Sequence, residues 1–183
     1  RGHMRQGVFI AVVGPSGSGK DTLIDRALEA RPDIVRARRV ITRPPAPGTE
    51  DYESVSEAAF EGLALAGGLT LSWDAHGLSY GIPVEVKAEL AAGRHVIANL
   101  SRRVWPDVKL RFVLKQLIWV TAPLDVLSRR LAARGREEAV DIEARLRRRT
   151  DAPPLEAVII DNDGDLEDGL AAFLAALPQP VSG

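Results

Sequence analysis

Apolar residues in this chain fall into short continuous runs separated by longer amphipathic stretches. Val8-Phe9-Ile10-Ala11-Val12-Val13 is β-branched and apolar throughout and ends at a glycine-rich segment, the pattern of a strand buried on both faces. Val96-Ile97-Ala98, Leu117-Ile118-Trp119-Val120 and Val158-Ile159-Ile160 repeat that pattern, and Val40-Ile41 is a shorter version running into an irregular loop with Pro44, Pro45, Pro47 and Gly48. Between them lie stretches of helical period. Asp21 to Ala30 carries Leu23, Ile24, Ala27 and Leu28 on one face and is closed by Pro32. Ser56 to Leu65 has a serine cap, Val84 to Ala92 stops at Gly93, and Val126 to Arg134, introduced by Pro123-Leu124-Asp125, stops at Gly135. Ile142 to Arg149 and Leu166 to Leu177 complete the helices. Leu69-Thr70-Leu71-Ser72-Trp73 alternates like a half-buried strand, with Gly77 and Gly81 bracketing a turn after it. Strands alternating with helices predict one α/β domain over residues 5–183, with a central parallel sheet covered on both faces. Arg1-Gly2-His3-Met4 reads as the remnant of a cleaved tag.

The first strand opens into Gly14-Pro15-Ser16-Gly17-Ser18-Gly19-Lys20, a G-x-x-x-x-G-K segment between a strand and a helix. Glycines there turn successive backbone N–H groups inward around a phosphate, and the helix N-terminus adds partial positive charge. Lys20 reaches the outer phosphates as a point charge. The position after the lysine, normally Ser or Thr holding magnesium, is Asp21, followed by Thr22. A carboxylate is a hard-cation ligand, so Asp21 is the candidate metal residue, directly or through water; the plainer alternative is electrostatic support of the helix start.

Composition narrows the rest. The 183 residues hold no cysteine, which excludes disulfides and thiolate chemistry, and a net charge of −1 excludes whole-surface attraction to nucleic acid or membrane. No apolar run is long enough to span a bilayer and no signal-like segment opens the chain, so a cytoplasmic protein is expected. Lys20, Lys87, Lys109 and Lys115 are the only lysines; every other cation is arginine, the residue suited to gripping phosphate. One arginine group flanks Val40-Ile41 (Arg36, Arg38, Arg39, Arg43). A second crowds the two helices around Gly135, and for most of its members a solvated, ion-paired helical face is sufficient explanation.

The loop Gly14–Lys20 together with Ile41-Thr42-Arg43, Asp51-Tyr52, His76 to Gly81, Arg130 to Gly135 and Arg145-Leu146 resembles the guanylate kinase family from near the start to near the end of the chain. The resemblance implies a three-layer P-loop fold with an acceptor-binding insertion, about residues 36–83, and an arginine-rich lid, about 128–149. It implies that Arg43, Tyr52 and Tyr80 hold the acceptor's phosphate, that Arg130, Arg134 and Arg145 clamp the transferring phosphates, and that Asn162-Asp163 line the adenine of ATP, with magnesium as the accompanying ion. The family's guanine-reading glutamate and serine fall at Leu71 and Ile82, its second acceptor arginine at Ala46, a serine at Arg39, and its strand aspartates at Asn99 and Ser101. Aliphatic side chains cannot pair a base's polar edge.

With these changes the chain is similar to the branch of the family that phosphorylates ribose 1,5-bisphosphate in phosphonate utilisation. The segments Gly14–Asp21, Arg39–Arg43, Leu71–Leu78, Asn99–Arg102, Arg134–Glu137 and Asn162–Gly164 carry that likeness. An acceptor with two phosphates and no base calls for arginines, and Arg39, Arg43, Arg102 and Arg103, with Asn99 at a strand's C-terminal end, are the candidates. Asp74 is placed to orient a sugar hydroxyl; His76 reads as a turn residue, and His95, Trp105 and Trp119 as structural. A nucleoside-monophosphate kinase of altered base preference and a non-catalytic binding module of the same fold remain the alternatives.

Overall fold

The computed structural model describes residues 5–15, 17–46, 50–134 and 152–181, together with the backbone but not the side chains of Leu124, Leu131 and Arg134. The expected helix Ile142–Arg149, most of the lid, Ser16 and Arg145 lie outside the described residues. A five-stranded parallel sheet forms the centre, in the order β2 (Val35–Arg36), β7 (Val96–Asn99), β1 (Phe9–Val13), β8 (Lys115–Thr121), β9 (Val158–Asp161). β1 is buried along its whole length, as its unbroken apolar run requires, and its alternate residues feed two cores. Ile10 and Val12 pack with Leu23, Ile24 and Ala27 of α1 (Lys20–Ala30) and with Phe173 of α6 (Leu166–Ala176). Phe9, Ala11 and Val13 pack with Val86 and Leu90 of α3 (Val86–Ala91) and Trp105 and Val108 of α4 (Trp105–Arg111). Helices on both faces give the three layers. α5 (Leu124–Arg134) follows β8.

A second sheet spans residues 40–83, in the order β4 (Glu53–Ser54), β3 (Val40–Ile41), β6 (Leu78–Pro83), β5 (Leu69–Ala75), with α2 (Glu57–Leu65) capped by Ser56 Oγ accepting from the Ala59 N–H. Arg36 belongs to the central sheet, so the second sheet begins after it. The turn expected between Gly77 and Gly81 is tighter than that. His76 and Gly77, with φ of 55° and 73°, make a two-residue hairpin between Ala75 and its partner Leu78. Gly81 lies inside β6, opposite Val40 and Ser72, where Leu69 and Phe60 close over it. The short strands β2 and β4 escape a sequence reading because two residues carry no periodicity.

The structural histidine and the C-terminal segment close the far end of the sheet. His95 Nδ1 accepts from the Val8 N–H at 2.9 Å, and its Nε2 lies 2.7 Å from the Gln179 carbonyl oxygen. Arg31 donates to both carboxylate oxygens of Asp33 at 2.9 Å and to the Pro178 carbonyl at 2.9 Å, and this hydrogen bonding holds the Asp33 carboxyl below its ordinary pKa. A lowered carboxylate pKa stabilises the fold above the unfolded-state value and loses that contribution as pH falls through the folded-state value. Asp33→Asn should accordingly lower the melting temperature at neutral pH and change it little near pH 2, read by circular dichroism. Ile10→Ala, opening a cavity in the central strand, should cost about 2–5 kcal/mol in urea unfolding.

Candidate active site

The site forms at the C-terminal ends of β1, β7, β8 and β9, where open parallel sheets place ligands. At its floor the chain leaves β1 through Gly14 and Pro15, and Gly17 and Gly19 both take the left-handed conformation (φ 86°) before α1 begins at Lys20. Lys20 Nζ donates to the Gly14 carbonyl at 2.8 Å, folding the ammonium back over the loop. Asn162, at the end of β9 and only 3% exposed, donates from Nδ2 to the Ser18 carbonyl at 2.7 Å. A Cβ on Gly19 would lie 2.5 Å from that Nδ2, and a Cβ on Gly169 of α6 would lie 2.4 Å from the same side chain's Oδ1. Two glycines thus clear the space in which Asn162 braces the phosphate loop. Arg130 of α5 adds a second brace, donating from Nη1 to the Gly17 carbonyl and from Nη2 to the Asn162 carbonyl, each at 3.0 Å.

Asp21 and Thr22 are exposed in the first turn of α1. Asp21 Oδ1 accepts from Asn99 Nδ2 at 2.7 Å and lies 3.7 Å from Arg36 Nη2; both contacts fall on one oxygen. Asn99 is buried, and its own carbonyl accepts from Arg39 Nη1 at 3.4 Å. This one asparagine joins the start of α1 to Arg39, beside the second sheet. Arg39 is 9% exposed and lies over the Tyr80 ring at 5.2 Å, and Tyr80 stacks on Trp73. Arg43 lies over the Tyr52 ring at 4.4 Å, while the Tyr52 hydroxyl donates to the Pro44 carbonyl. Both arginines face Glu50, which sequence reading passed over: Arg39 pairs with it through Nε and Nη2, and Arg43 Nη2 lies 3.8 Å from Oε1. Its nearness to Asp51-Tyr52 was the available signal.

The outlying candidates sort simply. Arg102 opens a short 3-10 turn (Arg102–Val104) after β7, and the neighbouring Arg103 donates to the Asp74 carbonyl at 2.6 Å, tying β5 to the core. Asp74 Oδ1 accepts from Ser79 Oγ at 2.7 Å, within the hairpin. Asp163 is exposed beyond Asn162. Leu71 and Ile82, opposite each other on β5 and β6, are buried in the same apolar cluster as α3 and α4, at 3% and 0% exposure.

The chain is 48% identical over 177 residues to a ribose 1,5-bisphosphate phosphokinase of Acidiphilium cryptum, covering 94% of this chain and 93% of that protein. A namesake from Brucella melitensis is 45% identical over 174 residues, covering 92% and 91%. The chain belongs to the ribose 1,5-bisphosphate phosphokinase family. The same kinase module also matches 29% of a bifunctional ribose 1,5-bisphosphokinase-thymidine phosphorylase of Cupriavidus necator, at 45% identity. No family model matches the chain. Among solved structures, a guanylate kinase of Anaplasma phagocytophilum superposes with a TM-score of 0.66 at 20% identity, covering 91% of this chain and 82% of that one. The phosphokinase fold is thus that of a guanylate kinase.

A nucleotide's phosphates fit the observations above: left-handed glycines at 17 and 19, a lysine folded over the loop and the N-terminus of α1 beside it. Among the described residues, no group of three or more acidic or histidine side chains gathers to hold a metal ion. Gly19→Ala drives a methyl group into Asn162 at a left-handed position. We expect at least a tenfold loss of affinity for a fluorescent ATP analogue, from about 1–3 kcal/mol of backbone strain.

Proposed function

We infer that this kinase transfers the γ-phosphoryl group of ATP to the 1-phosphate of ribose 1,5-bisphosphate, giving 5-phosphoribosyl 1-diphosphate and ADP. The observation that carries the acceptor assignment is the Leu71–Ile82 pair. In a guanine-reading kinase those positions face a base, whereas here they are core side chains with no polar atom to offer. The names of the relatives agree with an acceptor that has no base. A non-catalytic module would have no use for a braced phosphate loop with Lys20 and Arg130 on it.

An oxygen of the acceptor phosphate attacks the γ-phosphorus as the bond to the β–γ bridging oxygen breaks, and ADP leaves with that electron pair. The attacking oxygen is already ionised, so positioning and charge neutralisation carry the rate and no general base is required. Lys20 meets charge on the outer phosphates, with Arg130, Arg134 and Arg145 as the lid-side cations. Arg130 must exchange its carbonyl partners for phosphate oxygens to take that part. Arg43, Tyr52 and Tyr80 receive one phosphate of the acceptor, with Arg39 and Arg102 beside them. Asn162 and Asp163 border the nucleotide at the end of β9.

Magnesium, when bound, would supply neutralising charge to the phosphates. Asp21, whose Oδ1 accepts from Asn99, is the residue that would hold it. An aspartate at position 99 would confront Asp21 with a like charge; the amide instead donates to it. The negative charge that related kinases keep on the strand has moved to the helix. The cytoplasm and phosphonate utilisation are the setting this reaction implies.

Coupled ATP consumption with product identification tests the reading. Ribose 1,5-bisphosphate should give 5-phosphoribosyl 1-diphosphate while GMP gives no GDP; efficient GDP formation would overturn the acceptor assignment. Asp21→Asn should raise the magnesium concentration needed for half-maximal rate by about tenfold, the scale of a lost hard-cation ligand. An unchanged magnesium dependence would return Asp21 to electrostatic support of the helix start.

A further inference from the structure

Arg39 and Arg43 both lie against Glu50, but their bonding differs. Arg39 is committed on every side: Nε donates to Glu50 Oε2 at 3.0 Å, Nη2 donates to Glu50 Oε1, Nη1 donates to the Asn99 carbonyl at 3.4 Å, and one face lies on Tyr80. Its side chain is 11% exposed and that of Glu50 is 12% exposed. Arg43 has a third of its side chain exposed, lies 3.8 Å from Glu50 Oε1 and keeps a buried Nε that makes no hydrogen bond among the described residues. A buried donor without a partner is costly and is satisfied when a ligand acceptor arrives.

We propose that Arg39 and Glu50 form a charge-neutral strut that positions Arg43, and that Arg43, not Arg39, takes the acceptor's phosphate. The proposal deepens the reading above and rests on it for the identity of the acceptor. Two arginines and one glutamate leave this cluster with one net positive charge, the sign a phosphate group requires. Glu50 contributes in two ways. It holds Arg39 between the Asn99 carbonyl and the Tyr80 ring, which anchors the acceptor loop to the end of β7. It also draws Arg43 across the Tyr52 face by charge, at a distance too long to consume its donors. Glu50 acts only through the arginines and is a positioning residue. Removing it alone leaves a buried guanidinium without its counter-ion, which then competes with Arg43 for the phosphate.

The direct test uses the full chain loaded with ADP, so that the phosphate loop is filled. The arginine Nε–H signals are followed by nitrogen-15 NMR, assigned with R39K and R43K, while inorganic phosphate is titrated. The Arg43 signal should move to saturation and the Arg39 signal should stay. In E50Q the Arg39 signal should begin to respond and the phosphate affinity reported by Arg43 should fall. In kinetics E50Q should raise the acceptor KM by about tenfold with the KM for ATP held, the scale expected for closely coupled side chains. The apolar pair R39M/E50M should recover most of that loss, whereas R43M should not be rescued in either background.

An Arg39 signal that titrates in the wild type, tighter acceptor binding in E50Q, or a double variant as poor as R39M alone would each overturn the strut. The wild-type titration and E50Q decide the matter even where R39M fails to fold. Failure of the acceptor reading shows separately, as absent turnover of ribose 1,5-bisphosphate by the wild type, and leaves the phosphate titration intact.

Discussion

Asn99 is the point on which the two halves of the site depend. It ends the strand beside β1, so the parallel register of the central sheet fixes its height against the phosphate loop. From there its side chain donates to Asp21 and its carbonyl accepts from Arg39. Because both bonds start from one buried residue on a strand, Asp21 of α1 and Arg39 beside the second sheet are tied to a common point. The bond to Arg39 uses the backbone carbonyl, and the side-chain amide is what meets Asp21: a carboxylate at this position would repel it, whereas the amide donates to it.

The second constraint is apolar. Leu71 and Ile82 join the small sheet to the main core, so the hairpin that would otherwise present a base-reading surface contributes packing instead. Beside them the structure stacks charge on aromatic faces: Arg39 on Tyr80, Tyr80 on Trp73, Arg43 on Tyr52. On the proposed function these groups recognise phosphate number and spacing rather than a base.

Much of the fold could be read from the chain because β1, β7 and β8 are buried on both faces and therefore apolar in runs; β9 carries a similar run, but it is the sheet's edge strand and leaves Val158 and Ile159 exposed, so the expectation of a strand buried on both faces fails there. The phosphate loop was legible for a related reason: its backbone geometry demands glycines at fixed offsets. The two-residue strands β2 and β4 and the extent of β6 were not, since pairing partners rather than periodicity make them strands. At the site, Asp21, Arg39, Arg43 and Asn99 were identified individually, but their connection was invisible. The Asp21–Asn99 bond spans 78 positions of sequence. Glu50 was missed because an acidic residue in a proline-rich loop looks like ordinary solvated charge until the fold buries it against two arginines. Asn162 was expected beside the adenine, and the structure uses its amide under the phosphate loop, a role signalled by Gly169 only once α6 is docked.

The central claim is that the pocket recognises a base-free bisphosphate through charge while its former base-reading positions serve the core. Equilibrium binding to the chain loaded with a non-hydrolysable ATP analogue and magnesium addresses it most directly, with ribose 1,5-bisphosphate and GMP compared by calorimetry. The account predicts saturable binding of the bisphosphate and affinity for GMP weaker by about a hundredfold or more, the scale of a lost polar recognition site. Comparable affinity for the two ligands would mean that guanine is still read by groups other than Leu71 and Ile82, and would contradict it.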